Sequence, residues 1–81
     1  MRVKVEFYDV LRELAAQHEW CADLAPTATV AELYSIAKRT FPALADYPQQ
    51  PVFTSGLDYV EEAHVLREGE IISILPAHPS A

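Results

Sequence analysis

Residues 66–81 read LREGEIISILPAHPSA. A charged turn through Gly69 leads into a strongly apolar final strand at residues 70–75, and a proline-bounded tail follows. Successive side chains of a strand point to opposite faces, so Ile72 and Ile74 fall on one face. Ile71 and Leu75 fall on the other, with Ser73 between them. If the first pair faces a helix, the second lies on the open face of a sheet. A central strand is also apolar on both sides when a loop covers it. A covered face and an exposed apolar patch for a partner are therefore both open at this stage. Phe53 and Tyr59 are candidates to extend such a patch.

The rest of the chain supplies the other elements. Val3, Val5 and Phe7 alternate with Arg2, Lys4 and Glu6, the pattern of a half-buried strand. Residues 9–16 (DVLRELAA) place Val10, Leu11 and Leu14 at helical spacing, which predicts a short helix or helical turn. Residues 17–24 read as a second strand, with Trp20, Ala22 and Leu24 in phase. Thr29-Val30-Ala31-Glu32 has the capping-box pattern, in which the Thr29 hydroxyl accepts a backbone N–H and Glu32 reaches back to the Thr29 N–H. Val30, Leu33, Ala37 and Phe41 then form an apolar stripe flanked by Tyr34 and Ile36. Pro42 closes this main helix, because the residue before a proline is pushed out of helical geometry. The helix spans about residues 29–41.

Residues 43–51 form a loop with room for one helical turn, punctuated by Pro42, Pro48 and Pro51. Residues 52–54 and 57–60 are two short strands joined around Ser55-Gly56, where glycine permits a positive φ. Residues 61–68 are a charged connection. Strands grouped around one long helix predict an α+β domain, with the helix across one face of a mixed sheet.

A chain of 81 residues holds one domain. Its hydrophobic fraction of 51% is enough for a core and too high for a disordered chain. No apolar run is long enough to span a bilayer, and the N-terminus lacks the apolar core of a signal peptide. Cys21 is the single cysteine, so an internal disulfide is excluded and a reducing, cytoplasmic setting is expected. The net charge of −6, from 12 acidic and 6 basic residues, repels phosphate backbones and argues against nucleic acid. It suits docking against a basic protein surface, and equally keeps a small protein in solution.

Several stretches, in order, resemble the MoaD/ThiS family of ubiquitin-like sulfur carriers of molybdopterin and thiamine biosynthesis. Residues 7–14, FYDVLREL, are similar to that family's first strand running into an Arg-Glu-Leu turn, matched by Arg12-Glu13-Leu14. Residues 29–33, TVAEL, resemble its helix start. Residues 65–76, VLREGEIISILP, resemble its closing segment, where an acidic Gly turn leads into the last strand and a proline. Residues 52–60, VFTSGLDYV, sit where the family has a Val-Asn-Gly hairpin. The resemblance implies the ubiquitin-like β-grasp fold, with a sheet of about four to five strands. Its first and last strands would be adjacent and parallel at the sheet centre. It further implies a β-grasp domain over residues 1–76 and a short extended tail over 77–81.

In such carriers a partner enzyme adenylates the C-terminal carboxylate with ATP. Sulfur replaces the adenylate, and the thiocarboxylate passes its sulfur on. The family's tail ends in Gly-Gly, and Ser80-Ala81 stands there in this sequence. Glycine has no Cβ and lets the backbone pass a narrow channel; the side chains of Ser80 and Ala81 add volume that a close-packed channel resists. The resemblance thus implies a small protein that acts by docking, as a non-catalytic subunit or binding module. The alternative is a sulfur carrier, molybdopterin synthase small-subunit-like or ThiS-like, with Ala81 as the reactive end and Pro79 and Ser80 as its tail. Either reading implies a protein partner, an adenylating enzyme or a synthase large subunit.

The remaining reactive side chains form no catalytic pattern. Cys21 reads as a small packing residue with nothing basic flanking it in sequence. His18, His64 and His78 have no metal-ligand spacing. Glu61-Glu62 and the Glu68/Glu70 pair read as a solvated charged loop. No nucleophile elbow, phosphate loop or dinucleotide motif is present, so neither a metal, a cofactor nor a free-standing enzyme is expected. The candidate partner-binding residues are Phe53, Tyr59, Ile71, Leu75 and His78.

Overall fold

The alternation of the first strand becomes structure directly. In the computed structural model, which describes residues 1–77, β1 (Arg2–Phe7) buries Val3, Val5 and Phe7 completely. The chain continues through α1 (Val10–Ala15), β2 (Glu19–Asp23), α2 (Val30–Thr40), a 3₁₀ turn (Pro42–Asp46), β3 (Val52–Ser55), β4 (Asp58–Val60) and β5 (Ile71–Leu75). The five strands form one sheet in the order β2-β1-β5-β3-β4. β1 and β5 run parallel, with Val5 opposite Ile72 and Phe7 opposite Ile74. The other pairings are antiparallel. This is the mixed sheet with one main helix expected from the sequence.

Register decides which side chains share the core. Ala22, Val5, Ile72, Ile74 and Phe53 occupy one face, and all are buried. Over them lies α2, with Val30, Leu33, Tyr34 and Ala37 buried. The Tyr34 ring meets Phe53 edge-on at 5.5 Å, while Phe41 receives both Phe7 and Trp20 edge-on at 5.8 and 5.4 Å. Aromatic pairs favour this geometry because the positive ring edge meets the negative face. Leu11 of α1, Leu44 of the 3₁₀ turn and Leu66 of the connection complete the core.

The start of α2 shows how its backbone donors are satisfied. A helix leaves its first N–H groups without intrahelical partners. Here Val30 N–H donates to His64 O and Ala31 N–H to Glu62 O, both at 3.0 Å, and Glu32 N–H donates to Thr29 Oγ1 at 3.3 Å. The capping box is half formed: the Glu32 carboxylate meets the Thr29 hydroxyl at 3.5 Å rather than the Thr29 backbone N–H. The backbone near Thr29 is instead engaged by Val65 in an isolated antiparallel bridge. The charged connection is thereby fastened to the helix start, an attachment that its sequence does not reveal.

Gly56 is the first central residue of a two-residue hairpin turn and takes φ +63°, a conformation that costs glycine little. Beside that turn, the Glu70 carboxylate gathers three segments. The Ser55 hydroxyl donates to its Oε2, His64 Nε2 meets the same oxygen at 2.8 Å, and Arg67 N–H donates to Oε1 at 2.9 Å. A carboxylate only accepts, so Nε2 carries the proton. The Glu70 side chain is 13% exposed, which corrects its reading as part of a solvated pair. Burial alone would raise its pKa, but the hydrogen bonds from Ser55, His64 and Arg67 outweigh burial and hold it below the usual carboxylate value.

Because the folded-state pKa is depressed, Glu70 stabilises the fold above its unfolded pKa, and this contribution is lost as pH falls through the folded value. Glu70→Gln should lower the unfolding free energy at neutral pH by about 1–3 kcal/mol. In urea titrations the gap from the parent protein should close as pH falls through the acidic range. A gap independent of pH would mean that the carboxylate charge contributes nothing.

Candidate functional site

The face of the sheet opposite α2 divides into a charged half and a neutral half. Strand alternation places Arg2, Lys4 and Glu6 of β1 on it, opposite Asp23, Cys21 and Glu19 of β2. Their charges are largely paired: Arg2 Nε lies 3.3 Å from Asp23 Oδ1, Lys4 Nζ lies 3.2 Å from Glu19 Oε1, and the Tyr8 hydroxyl donates to Glu6 at 3.1 Å. Such exposed pairs are worth about 0–1 kcal/mol each. They set the polarity of this half more than the stability of the fold.

Across the sheet centre the character changes. β5 presents Ile71, Ser73 and Leu75, with Val52 opposite Leu75 and Thr54 opposite Ser73 on β3. Tyr59 of β4 lies opposite Thr54. Ile71 is 45% exposed and Tyr59 69% exposed, while Leu75, Val52 and Thr54 are half-buried. Of the two possibilities for the outward side of β5, exposure holds at Ile71. Lys4 pairs with Ile71 in the ladder, so a cationic side chain borders the neutral half.

Phe53 does not belong to this surface. It is 3% exposed, sits opposite Ile74 in the ladder and packs on Tyr34, so it is a core residue. Val52 takes the outward position instead. Two adjacent apolar residues make the phase of a short strand ambiguous, and only the pairing with β5 resolves it. Val52 and Thr54 are the surface residues that the sequence pattern does not single out.

Cys21 is likewise displaced from its expected role. It is exposed on the charged half rather than packed, and its cross-strand neighbour is Lys4. The Lys4 ammonium is engaged by Glu19. Ser55, His64 and Glu70 comprise the residue types of a hydrolytic triad, but the Ser55 hydroxyl gives its proton to Glu70 and does not contact His64 through a hydrogen bond. A hydrolytic triad needs its histidine at the nucleophile's oxygen, and here Ser55 and His64 both bind the Glu70 carboxylate, so this arrangement is a structural clasp. Among the described residues no group of three or more His, Cys, Asp or Glu could hold a metal ion, and no helix is long and apolar enough to cross a membrane.

The root of the tail is held. Ala77 N–H donates to the Tyr47 hydroxyl at 2.7 Å, just beyond the end of β5. Burial raises the pKa of the neighbouring Tyr34 hydroxyl above the usual tyrosine value, and Tyr47 adds to the effect. His78, Pro79, Ser80 and Ala81 lie outside the described residues.

No protein-family model and no curated protein matches the chain. Solved structures do. SAMP1, a small archaeal modifier protein of Haloferax volcanii, is 13% identical with a TM-score of 0.86, and the match covers 100% of both chains. A putative molybdopterin converting factor subunit 1 from Pyrococcus furiosus is 21% identical with a TM-score of 0.85, over 94% of this chain and 97% of that one. A complex of subunits 1 and 2 of the molybdopterin-converting factor from Helicobacter pylori contains a chain 17% identical, with a TM-score of 0.70 and 100% of both chains covered. At these identities the likeness shows the fold: the chain is a ubiquitin-like β-grasp protein, as the resemblance to the MoaD/ThiS family implied.

Tyr47→Phe removes the hydroxyl that receives the Ala77 N–H. A typical hydrogen bond contributes about 0.5–1.5 kcal/mol, so hydrogen exchange at Ala77 should quicken about 2- to 10-fold. Exchange at the buried amide of Ile74 should not change. Unaltered protection at Ala77 would show that Tyr47 does not hold the tail.

Proposed function

We propose that this protein works by protein–protein docking, as a non-catalytic subunit or binding module, through the open sheet face around Ile71, Leu75 and Tyr59. The observation that supports this most is the 45% exposure of Ile71 on a strand with neighbours on both sides. An interior strand of a small sheet is where apolar area is most readily covered, and burying such a side chain fully is worth about 1.5–3 kcal/mol. A partner that covers the still-exposed area of Ile71 and Tyr59 recovers the corresponding part of that energy. His78, which follows the described residues in the chain, is a further candidate contact.

The H. pylori neighbour, itself in a complex of two subunits, favours a partner of the synthase large-subunit kind. The sequence resemblance adds an adenylating enzyme as the other candidate. A second reading, the sulfur carrier with Ala81 as its reactive carboxylate, draws support from where the tail begins. Its root follows β5 directly and is pinned at Tyr47, so one partner can cover the sheet face and receive the tail.

One measurement tests the docking face that both readings use, and a second separates the readings. With the large subunit or the adenylating enzyme as partner, Ile71→Asp combined with Leu75→Asp should weaken binding at least about tenfold. Unchanged binding by a variant that is still folded would reject the face. After incubation with ATP, a sulfur donor and the adenylating enzyme, replacement of a terminal oxygen by sulfur in the intact mass establishes the carrier. An unaltered mass leaves the binding module.

A further inference from the structure

At the open end of the β3–β4 hairpin the surface forms a groove of about 460 Å³. Its apolar lining comes from Pro51, Val52, Phe53 and Val60, buried or half-buried, and its exposed rim carries Glu61 and Glu62. Neither carboxylate takes part in an ion pair among the described residues. Two carboxylates of this acidic chain are thus left without a cation beside an apolar hollow.

The adjoining strand adds a second feature. β4 is an edge of the sheet, with only β3 as a neighbour. In an antiparallel pair, hydrogen-bonded and non-bonded residue pairs alternate. Ser55 and Asp58 flank the two-residue turn and form the bonded pair, so Thr54 and Tyr59 form the non-bonded one. The N–H and C=O of Tyr59 therefore point away from β3, and neither has a hydrogen-bond partner among the described residues. Tyr59 also helps to line the groove, so the open edge and the hollow are continuous.

We infer that the outer edge of β4 and the groove at its base take an extended, lysine- or arginine-bearing segment of a partner protein. The segment adds as a strand against Tyr59, using that residue's free donor and acceptor. An apolar side chain enters the hollow over Phe53 and Val60, and a flanking cation sits beside Glu61 and Glu62. Charge selects this occupant. Antiparallel pairing of two copies through β4 would gather Asp58, Glu61 and Glu62 from both, in chains that each carry a net charge of −6. The same carboxylates repel a phosphate backbone. This surface shares Val52 and Tyr59 with the open face but does not use Ile71 or Leu75, and the strand edge, Glu61 and Glu62 lie outside that face.

A capped peptide of alternating lysine and valine, titrated at low ionic strength into the isotope-labelled protein, tests the inference. The amides of Val52, Tyr59, Val60, Glu61 and Glu62 should shift, and a matched peptide with glutamate for lysine should leave them in place. Glu61→Lys combined with Glu62→Lys should weaken the lysine peptide about tenfold or more. Ile71→Asp with Leu75→Asp should leave this binding unchanged, which keeps the two surfaces distinguishable. The inference is overturned if the lysine peptide shifts none of these amides, if it shifts only those around Ile71 and Ser73, or if the glutamate peptide binds as well. It is also overturned if the same amides shift with protein concentration alone, because the occupant would then be a second copy.

Discussion

The parallel pairing of β1 with β5 is the constraint from which the rest of the architecture follows. Parallel neighbours cannot be joined by a tight turn and need a crossover. Here the crossover is nearly the whole chain, since Lys4 is paired with Ile71. The ladder is anchored at both ends, by Lys4 N–H on Glu70 O at 3.0 Å and Tyr8 N–H on Ile74 O at 3.1 Å. β2 can then add only outside β1, and the β3–β4 hairpin only outside β5. The single long helix is left to cover the Val5, Phe7, Ile72 and Ile74 side. The outward side of β5 stays near the sheet middle with no second helix to cover it.

Much of this could be read from the residues because strand and helix periods act locally. Val3, Val5 and Phe7 fixed the phase of β1, and Ile72 and Ile74 that of β5. Thr29 and Pro42 bounded the helix to within a residue or two of Val30–Thr40. What could not be read depends on pairings distant in sequence. Phe53 and Val52 are both apolar, and only the partner across the ladder, Ile74 or Leu75, says which one faces inward. Glu70 resembled a solvated acid because Ser55 and His64 approach it through the fold. Cys21 has the small apolar side chain of a packing residue, but its alternation with Trp20 and Ala22 in the strand places it on the outward face.

The two surfaces use the sheet differently. The open face offers side chains from strands whose backbones are already paired, so a partner there gains apolar burial and shape, with the Arg2 and Lys4 half providing a polar border. The β4 edge offers backbone groups and unpaired carboxylates, so a partner there gains hydrogen bonds and charge. The acidity of the chain has opposite consequences at the two. On the β1–β2 side it is largely neutralised by cross-strand ion pairs. At residues 61 and 62 it is not.

The connection over residues 61–68 is charged and mostly exposed, the kind of segment where proteases usually nick a domain. Its attachments change that expectation. Glu62 O and His64 O receive the first N–H groups of α2, Leu66 N–H is bound to Ala28 O, and the His64 side chain and Arg67 N–H hold Glu70. A protease must draw a stretch of backbone into its cleft, and here withdrawing Glu62, His64, Leu66 or Arg67 releases a bond near the helix start or at the Glu70 clasp. The connection therefore behaves as a strap. Slow cleavage is the expected consequence of its docked backbone, although its composition is that of a loose loop.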